Sequence, residues 1–407
     1  MKRLTIAAAV VITAAALFGG AFGGGEASAA SADARAAALR GYAELERARV
    51  AGDPSRYPVA ERELREAVRI GGADALAYRG LAALAAARHR FDESLRFARR
   101  ARALSPSAAA VHGLIGDANV ELGRYRAAFA AFDRMAALKP GPTAYARVSY
   151  GRELRGDTAG AIEAMELAAE AARPGEPRAW ALTQLANLYA GTGRPAEANG
   201  IYRGILRTLP SYAPAYGGLA GTAATPRQAA QLYELALSTQ PSPEYAVGVA
   251  DALAELGRGE ESERYLRRAH ELEMEFARFG GRNQIETALL DLDHDRHLRD
   301  ALRRAREGAR LRPSVEGEHA LAWALYKNGR CEQARTHSSR ALRLGTKDTG
   351  AIYHRFLIER CLGNDVAAGR FLHRVRSIDP GFLQAPPSAF RLRPTIAAWR
   401  PRNSSGN

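Results

Sequence analysis

Residues 110–140, AVHGLIGDANVELGRYRAAFAAFDRMAALKP, contain the pattern that the rest of the chain repeats. The first half has mostly apolar and small residues at helical spacing: His112, Ile115, Gly116 and Asn119. A Gly-Arg pair interrupts this period, and a second one runs through Ala128, Phe132 and Met135 up to Pro140. Because Gly116 and Ala128 are small, two antiparallel helices can approach closely, with Phe132 filling the space between them. The stretch therefore predicts a helical hairpin.

The same pattern recurs along the chain. Prolines at 106, 140, 174, 210 and 241 close successive units, and those at 313 and 380 follow after about two further periods each. A small residue followed four positions later by a large one marks the second helix of each unit, as in Ala161/Met165 and Ala198/Tyr202. We count ten units between about residues 36 and 380, and such self-similarity indicates a solenoid.

These units resemble the tetratricopeptide repeat (TPR), whose signature is a large residue, Leu-Gly, Tyr, then Ala-x3-Phe and a closing Pro over about 34 residues. In residues 110–140, Asn119 replaces the usual Tyr and His112 the usual Trp. The resemblance implies an all-α, right-handed superhelical solenoid of about ten hairpins, each stable only against its neighbours. It says little about function, because this repeat serves many unrelated binding roles.

The composition adds little to this interpretation. The 407-residue chain is 47% hydrophobic, which is ample for a continuous core, and carries a formal net charge of +14. Only four of its 58 basic residues are Lys, and an Ala- and Arg-rich chain of this kind is typical of a GC-rich bacterial genome. We therefore discount the charge as a sign of nucleic-acid binding, which the sequence makes unlikely.

Residues 1–29 have the three parts of a signal peptide. Lys2-Arg3 precede an apolar run, a Gly-rich stretch follows, and a small-x-small site ends at Ala29. The alternative is a retained N-terminal anchor, since residues 4–22 are nearly long enough to span a bilayer. With cleavage after Ala29 no stable membrane span remains, and we expect the protein to be secreted or on the exterior of the cell envelope.

The repeat domain is assigned to residues 30–380, with helical periodicity from Ala34. An atypical first unit reads as the cap that a solenoid needs. The sixth unit is expected to have a first helix about one turn short, because Thr225-Pro226 replaces the usual Gly-Arg turn. The second helix of the seventh is expected to run to Phe279. Residues 381–407 hold four Arg, four Pro and no acidic residue, and are expected to be a mobile basic tail.

No catalytic signature is present: the chain lacks a phosphate-binding loop, a nucleophile elbow and a His-Glu-x-x-His motif. We predict no enzymatic activity and no cofactor. One alternative function is metal binding or metal carriage, through the residues Asp291, Asp293, His294 and His297. They fall at a helix–turn–helix corner, where acidic and His residues are also common as solvated turn residues.

The two cysteines occupy corresponding ends of neighbouring hairpins. Cys331 begins the second helix of unit nine, and Cys361 ends the first helix of unit ten. A disulfide is one interpretation for an exported chain with an even cysteine count. Two buried, reduced thiols are the other.

Charge is divided unevenly between the helices of each unit. The first-helix segments of units two to ten hold 13 acidic and 9 basic residues, whereas many second-helix positions are Arg: Arg96, Arg99, Arg100, Arg102, Arg299, Arg303, Arg304 and Arg306. In TPR proteins first helices line a concave groove, so the resemblance implies inward positions for Asp117, Glu121, Tyr150, Glu153, Trp180, Asn187, Asp251, Glu255, Glu286, His319, Trp323 and His354. Asn187 matches one element of the family's carboxylate clamp, but the clamp as a whole is not supported.

The resulting functional prediction is a non-catalytic scaffold that binds a protein or peptide in the groove, outside the cytoplasm. Its partner should carry basic and apolar residues, with Trp180 and Trp323 as anchors unless they only fill gaps between helices. A third alternative is an adhesin that binds anionic envelope polymer or nucleic acid through the Arg-rich convex face. Partner identity and oligomeric state stay open.

Overall fold

The computed structural model describes residues 29–71 and 74–382. In this part of the chain, twenty α-helices and one short 3₁₀ helix (Pro54–Arg56) follow one another without strands. The helices are α1 (Ala29–Ala51), α2 (Tyr57–Gly71), α3 (Ala75–Ala87), α4 (Phe91–Leu104), α5 (Ala109–Glu121), α6 (Tyr125–Leu138), α7 (Pro142–Leu154), α8 (Thr158–Ala171), α9 (Glu176–Gly191), α10 (Pro195–Thr208), α11 (Ala213–Gly221), α12 (Pro226–Thr239), α13 (Pro243–Glu255), α14 (Gly259–Arg278), α15 (Gln284–Asp293), α16 (Leu298–Leu311), α17 (Val315–Lys327), α18 (Cys331–Ala341), α19 (Thr349–Cys361) and α20 (Asp365–Ile378).

Consecutive helices pair into ten hairpins, numbered 1 to 10 in chain order, and each hairpin packs against the next. Glycines allow the close approach that the sequence predicts: a Cβ on Gly116 would lie 2.2 Å from the ring of Phe132. Gly218 and Gly248 receive Tyr202 and Tyr233 in the same way. The all-helical TPR-like solenoid of ten hairpins is thus confirmed.

The expected irregularities in helix length are present. Helix α11 has only 9 residues, and α14 has 20 and ends at Arg278, one residue before the expected Phe279. Helix α1 differs from expectation, because it begins at Ala29 instead of Ala34. The predicted signal peptide lies outside the described residues except for Ala29, and the predicted tail lies outside them from residue 383 onward. No helix in the described ranges is long and apolar enough to cross a bilayer.

The superhelix closes on itself after five hairpins. The turns inside hairpins 1 to 5 contact the loops that follow hairpins 6 to 10, about 190 residues later in the chain. Four of these contacts are made by glycine backbone: Gly52 with Pro241, Gly123 with Pro313, Gly156 with Gly345, and Gly193 with Asp379. In the fifth, Nδ1 of His89 lies 3.1 Å from the carbonyl oxygen of Arg282. We call these five contacts the inter-turn interface. They flank the predicted concave groove, which forms a cavity inside the superhelix.

The contact of hairpin 3 shows how this interface is held. Arg312, nearly buried, donates to Glu121 (Nη2–Oε2 3.0 Å) and to Glu286 (Nη1–Oε1 2.5 Å). The hydroxyl of Tyr125 accepts a hydrogen bond from the backbone N–H of Val315 at 2.6 Å. Because these charges are removed from water, they can stabilise the interface only as a complete set.

Hairpin 2 makes a second polar contact across the interface. The backbone N–H of Arg282 donates to the carbonyl of Arg88 at 2.9 Å, and Nε of Arg90 donates to the carbonyl of Gly280 at 2.8 Å. His89 has a left-handed backbone (φ 55°) and packs between Phe91 and Phe276. Burial lowers the pKa of His89, which favours the neutral ring.

Candidate binding cavity

A cavity of about 2100 Å³ runs inside the superhelix. First helices and the loops between hairpins supply most of its lining, with additional side chains from second helices such as α14. Eleven acidic and six basic residues line it, an excess of five acidic groups in a chain whose net charge is +14. The cavity is therefore an acidic interior in a basic protein.

Eight of the twelve predicted inward residues line this cavity: Tyr150, Glu153, Trp180, Asn187, Asp251, Glu286, Trp323 and His354. The prediction assigned them by position in the first helix, and the superhelix turns that position inward. The side chain of Asn187 is already engaged, because its Oδ1 accepts the hydroxyl of Tyr202 at 2.5 Å. Asn187 therefore binds Tyr202 here, and not a ligand carboxylate as in the family's clamp.

The other four predicted residues, Asp117, Glu121, Glu255 and His319, are not part of the lining. Asp117 is buried in an ion pair with Arg147 (Oδ2–Nη2 2.7 Å), and Glu121 is buried against Arg312 in the inter-turn interface. His319 lies behind the surface, with Nε2 2.9 Å from Nδ1 of His354. The side chains of Asp117, Glu121 and His319 contact other helices instead of the cavity. The spacing of inward positions cannot distinguish such contacts from contact with a ligand.

The two predicted tryptophan anchors have different environments. Trp323 is fully buried, donates from Nε1 to Asp293 at 2.9 Å, and stacks on His354 with ring centroids 3.6 Å apart. Its environment is that of a packing residue in the wall. Trp180 is only half-buried, faces the cavity and packs on the cluster around Leu185. Of the two, Trp180 offers the more accessible aromatic surface.

Among the lining carboxylates with no ion pair or hydrogen bond partner among the described side chains, two are perturbed by burial. These are Glu153 in α7 and Glu244 in α13. Burial, together with the nearby carboxylate of Asp348, raises the pKa of Glu153 to about 7. Burial alone raises the pKa of Glu244 to about 7. Because a cationic ligand would favour the ionised form of both, they are suited to receive Arg or Lys.

Sequence reasoning missed part of the lining. Tyr212 and Tyr245 contribute aromatic surface near the starts of α11 and α13, and Glu273 contributes a buried carboxyl from the second helix α14. Burial raises the pKa of Glu273 to about 8, with Glu286 adding to the effect. The tyrosines could have been found, since each lies close to a proline that starts a first helix. Glu273 could not, because second-helix positions were assigned to the outside.

The predicted metal ligands Asp291, Asp293, His294 and His297 engage different partners. Asp291 is fully buried and accepts from Arg304 at 2.6 Å, unlike a solvated turn residue, whereas Asp293 accepts from Trp323. His294 lies 3.0 Å from Asp251, and His297 precedes α16 with a left-handed backbone. Within residues 29–71 and 74–382 no group of three or more His, Cys, Asp or Glu side chains is arranged to hold a metal ion.

Cys331 and Cys361 are joined in a disulfide with Cα atoms 6.2 Å apart. The bond connects the start of α18 to the end of α19. It therefore links hairpins 9 and 10 at the ends where their internal turns lie.

The second-helix arginines lie on the outside of the superhelix, as the charge partition predicts. Seven of the eight are exposed: Arg96, Arg99, Arg100, Arg102, Arg299, Arg303 and Arg306. Arg304 is the exception, because it pairs with the buried Asp291. This difference determines which arginines can serve as surface controls.

The chain matches no known family profile and no curated protein. Among solved structures it is similar to the Cut9–Hcn1 hetero-tetramer of the APC/C, at 15% identity and a TM-score of 0.39 over 89% of this chain and 75% of that one. A tetratricopeptide repeat protein from Parabacteroides merdae is 14% identical, with a TM-score of 0.41 over 59% and 93%. Yeast Tom70 is 12% identical, with a TM-score of 0.36 over 85% and 92%. The likeness concerns the helical-repeat fold alone.

Proposed function

We propose that this chain is a non-catalytic scaffold, acting outside the cytoplasm, that binds a peptide segment with basic and aromatic residues in its internal cavity. The observation that carries the proposal is the lining: eleven acidic against six basic residues, with Trp180 accessible and with Glu153 and Glu244 unpaired among the side chains of residues 29–71 and 74–382. Complementary charge steers the encounter and rejects acidic partners.

The size of the cavity favours a peptide over a small molecule. At about 2100 Å³ it exceeds the roughly 300–1,000 Å³ of ordinary small-molecule pockets. Because the inter-turn interface flanks the cavity, a peptide would enter along the superhelix axis, or the interface would open. Export rests on the predicted signal peptide, and the disulfide is of the kind that persists in an oxidising compartment.

The test uses two synthetic twelve-residue peptides labelled with fluorescein. One contains four Arg and two Trp in a Gly/Ser background, and the other replaces each Arg with Glu. Fluorescence polarisation should show binding of the first peptide only. Trp180→Ala should weaken that binding by about 2 kcal/mol, the order of a single aromatic anchor. Equal binding of both peptides would contradict the proposal.

The matched control is Arg299→Ala/Arg303→Ala on the outer face, which should leave peptide affinity unchanged. Melting temperature measured beside affinity separates lost packing at Trp180 from lost contact. The exposed arginines favour the adhesin as a second candidate, and its signature is different. An anionic polymer such as heparin would bind with a steep salt dependence, and the Arg299/Arg303 variant would lose that binding.

A further inference from the structure

The described chain ends at the wall of the cavity. After α20, residues Asp379, Pro380, Gly381 and Phe382 all contribute to the lining. Phe382 is buried, with its ring centroid 5.6 Å from that of Tyr353. The described chain therefore ends beside the cavity, at Phe382.

The residues that follow have the chemistry that the lining selects. Residues 383–407 contain four Arg (391, 393, 400 and 402), no Asp or Glu, and the aromatic residues Phe390 and Trp399. Their four positive charges complement the excess of five acidic groups that line the cavity. Prolines at 386, 387, 394 and 401 favour an extended backbone, which lowers the entropy lost when such a segment binds.

We infer that residues 383–407 bind in the cavity of their own chain, as an intramolecular ligand that any peptide partner must displace. The inference rests on the proposed function of the cavity. It identifies one segment with the required charge and aromatic content, already attached at the cavity wall.

The length of the segment is sufficient. Trp399 lies seventeen positions after Phe382 in the chain. A flexible chain of that length spans about 23 Å on average, and an extended one up to about 56 Å. Tethering over such a distance gives an effective concentration on the order of 1 mM. If the segment binds the cavity with an intrinsic Kd of about 0.1 mM, it competes with any added peptide. A cationic peptide should then bind the unaltered chain about tenfold more weakly than it binds a chain whose own segment is defective.

The experiment uses the full chain and the fluorescence of Trp399. The chain has three tryptophans, so the spectrum of the unaltered protein minus that of Trp399→Phe isolates the contribution of Trp399. We expect a blue-shifted difference spectrum that is shielded from acrylamide. The same difference spectrum is then measured in the variant Arg391→Gln/Arg393→Gln/Arg400→Gln/Arg402→Gln, with and without Trp399→Phe. There the fluorescence of Trp399 should be red-shifted and freely quenched by acrylamide. Equal quenching of Trp399 in both chains would overturn the inference.

Matched variants locate the binding surface. Glu153→Gln/Glu244→Gln removes two cavity carboxylates and should expose Trp399. Asp300→Asn/Glu307→Gln removes two exposed carboxylates of the outer helix α16 and should not. Release of Trp399 by the outer variant alone would overturn the inference, because the segment would then bind the convex face.

Concentration distinguishes an intramolecular ligand from the segment of a second copy. Shielding of Trp399 should be independent of protein concentration, with a monomer in sedimentation velocity. Shielding that appears only together with a dimer would overturn the intramolecular form. Failure of the proposed function is distinguishable, because the twelve-residue cationic peptide would then not bind even to the four-glutamine variant. Binding of that peptide with Trp399 freely quenched refutes the intramolecular ligand alone.

Discussion

The turns of hairpins 3, 4 and 5 and those of hairpins 7, 9 and 10 have similar local structure and different surroundings. Gly123, Gly156 and Gly193 have φ between 68° and 76°, and so do Gly257, Gly329 and Gly363. In the first group a Cβ would meet residues of the next superhelical turn at 3.0 Å or less. In the second group it would meet nothing within 4 Å.

This difference shows that the local sequence does not indicate which turns contact the next turn of the superhelix. Gly-Arg pairs occur both at Gly123-Arg124 and at Gly329-Arg330. We call the first group docked turns and the second open turns. Docked turns are held by non-covalent contacts across the inter-turn interface, whereas the open turns of hairpins 9 and 10 are tied to each other by the disulfide. The predictions below test this division, from the largest expected effect to the smallest.

Arg312→Ala should have the largest effect, because it leaves Glu121 and Glu286 without their buried cation. We expect a loss of about 3–5 kcal/mol in the free energy of unfolding, measured by urea denaturation. Arg303→Ala, at an exposed pair with Asp300, should cost within about 0.5 kcal/mol. Similar losses in the two variants would mean that the inter-turn interface does not stabilise the fold.

Cys331→Ser/Cys361→Ser removes the tie between the open turns. The bond closes a loop with a sequence separation of 30, for which chain entropy gives a loss of roughly 3.5 kcal/mol. Thiol titration of the unreduced, unfolded protein should find no free thiol in the unaltered chain. Two reactive thiols there would refute the bond, and the double variant would then show little loss of stability.

Gly123→Ala and Gly329→Ala compare a docked turn directly with an open one. Both place Ala in the left-handed region, which costs about 1–2 kcal/mol. At Gly123 the new Cβ would also lie 2.4 Å from the carbonyl oxygen of Pro313, and overpacking of this kind costs about 1–3 kcal/mol more. Thermal melting of the two variants should show the lower Tm for Gly123→Ala. Identical melting would remove the basis for distinguishing the two groups.

Glu153→Gln should have the smallest effect of these variants, and it should act on the pH dependence of the free energy of unfolding. Burial raises the pKa of Glu153 to about 7 from 4.5, so the native state holds this proton more tightly than the unfolded state. The stabilisation is full below about pH 4.5 and is lost as pH rises towards 7. Because the side chain is only half-buried, solvent screening limits the effect to roughly 1 kcal/mol. Urea denaturation at pH 5 and pH 8 should show a smaller difference in the variant, and an unchanged difference would place Glu153 in water.

The sequence by itself determined the repeat and most of its irregularities. Helical periodicity and closing prolines gave the ten hairpins, the short α11 and the long α14, because these depend on residues within one hairpin or its neighbour. The same periodicity placed Tyr150, Glu153 and Trp180 on the inner side, since a first helix keeps its orientation from one hairpin to the next.

Only the tertiary structure decided which inward residues line the cavity and which hold turns together. Glu121 meets Arg312 across 191 residues, and that pairing depends on how far the superhelix rises in five hairpins. The rise is a sum of small rotations between neighbouring hairpins, and no residue pattern within one unit encodes the sum. For the same reason the sequence predicted the concave groove but not the contacts between successive turns that flank it.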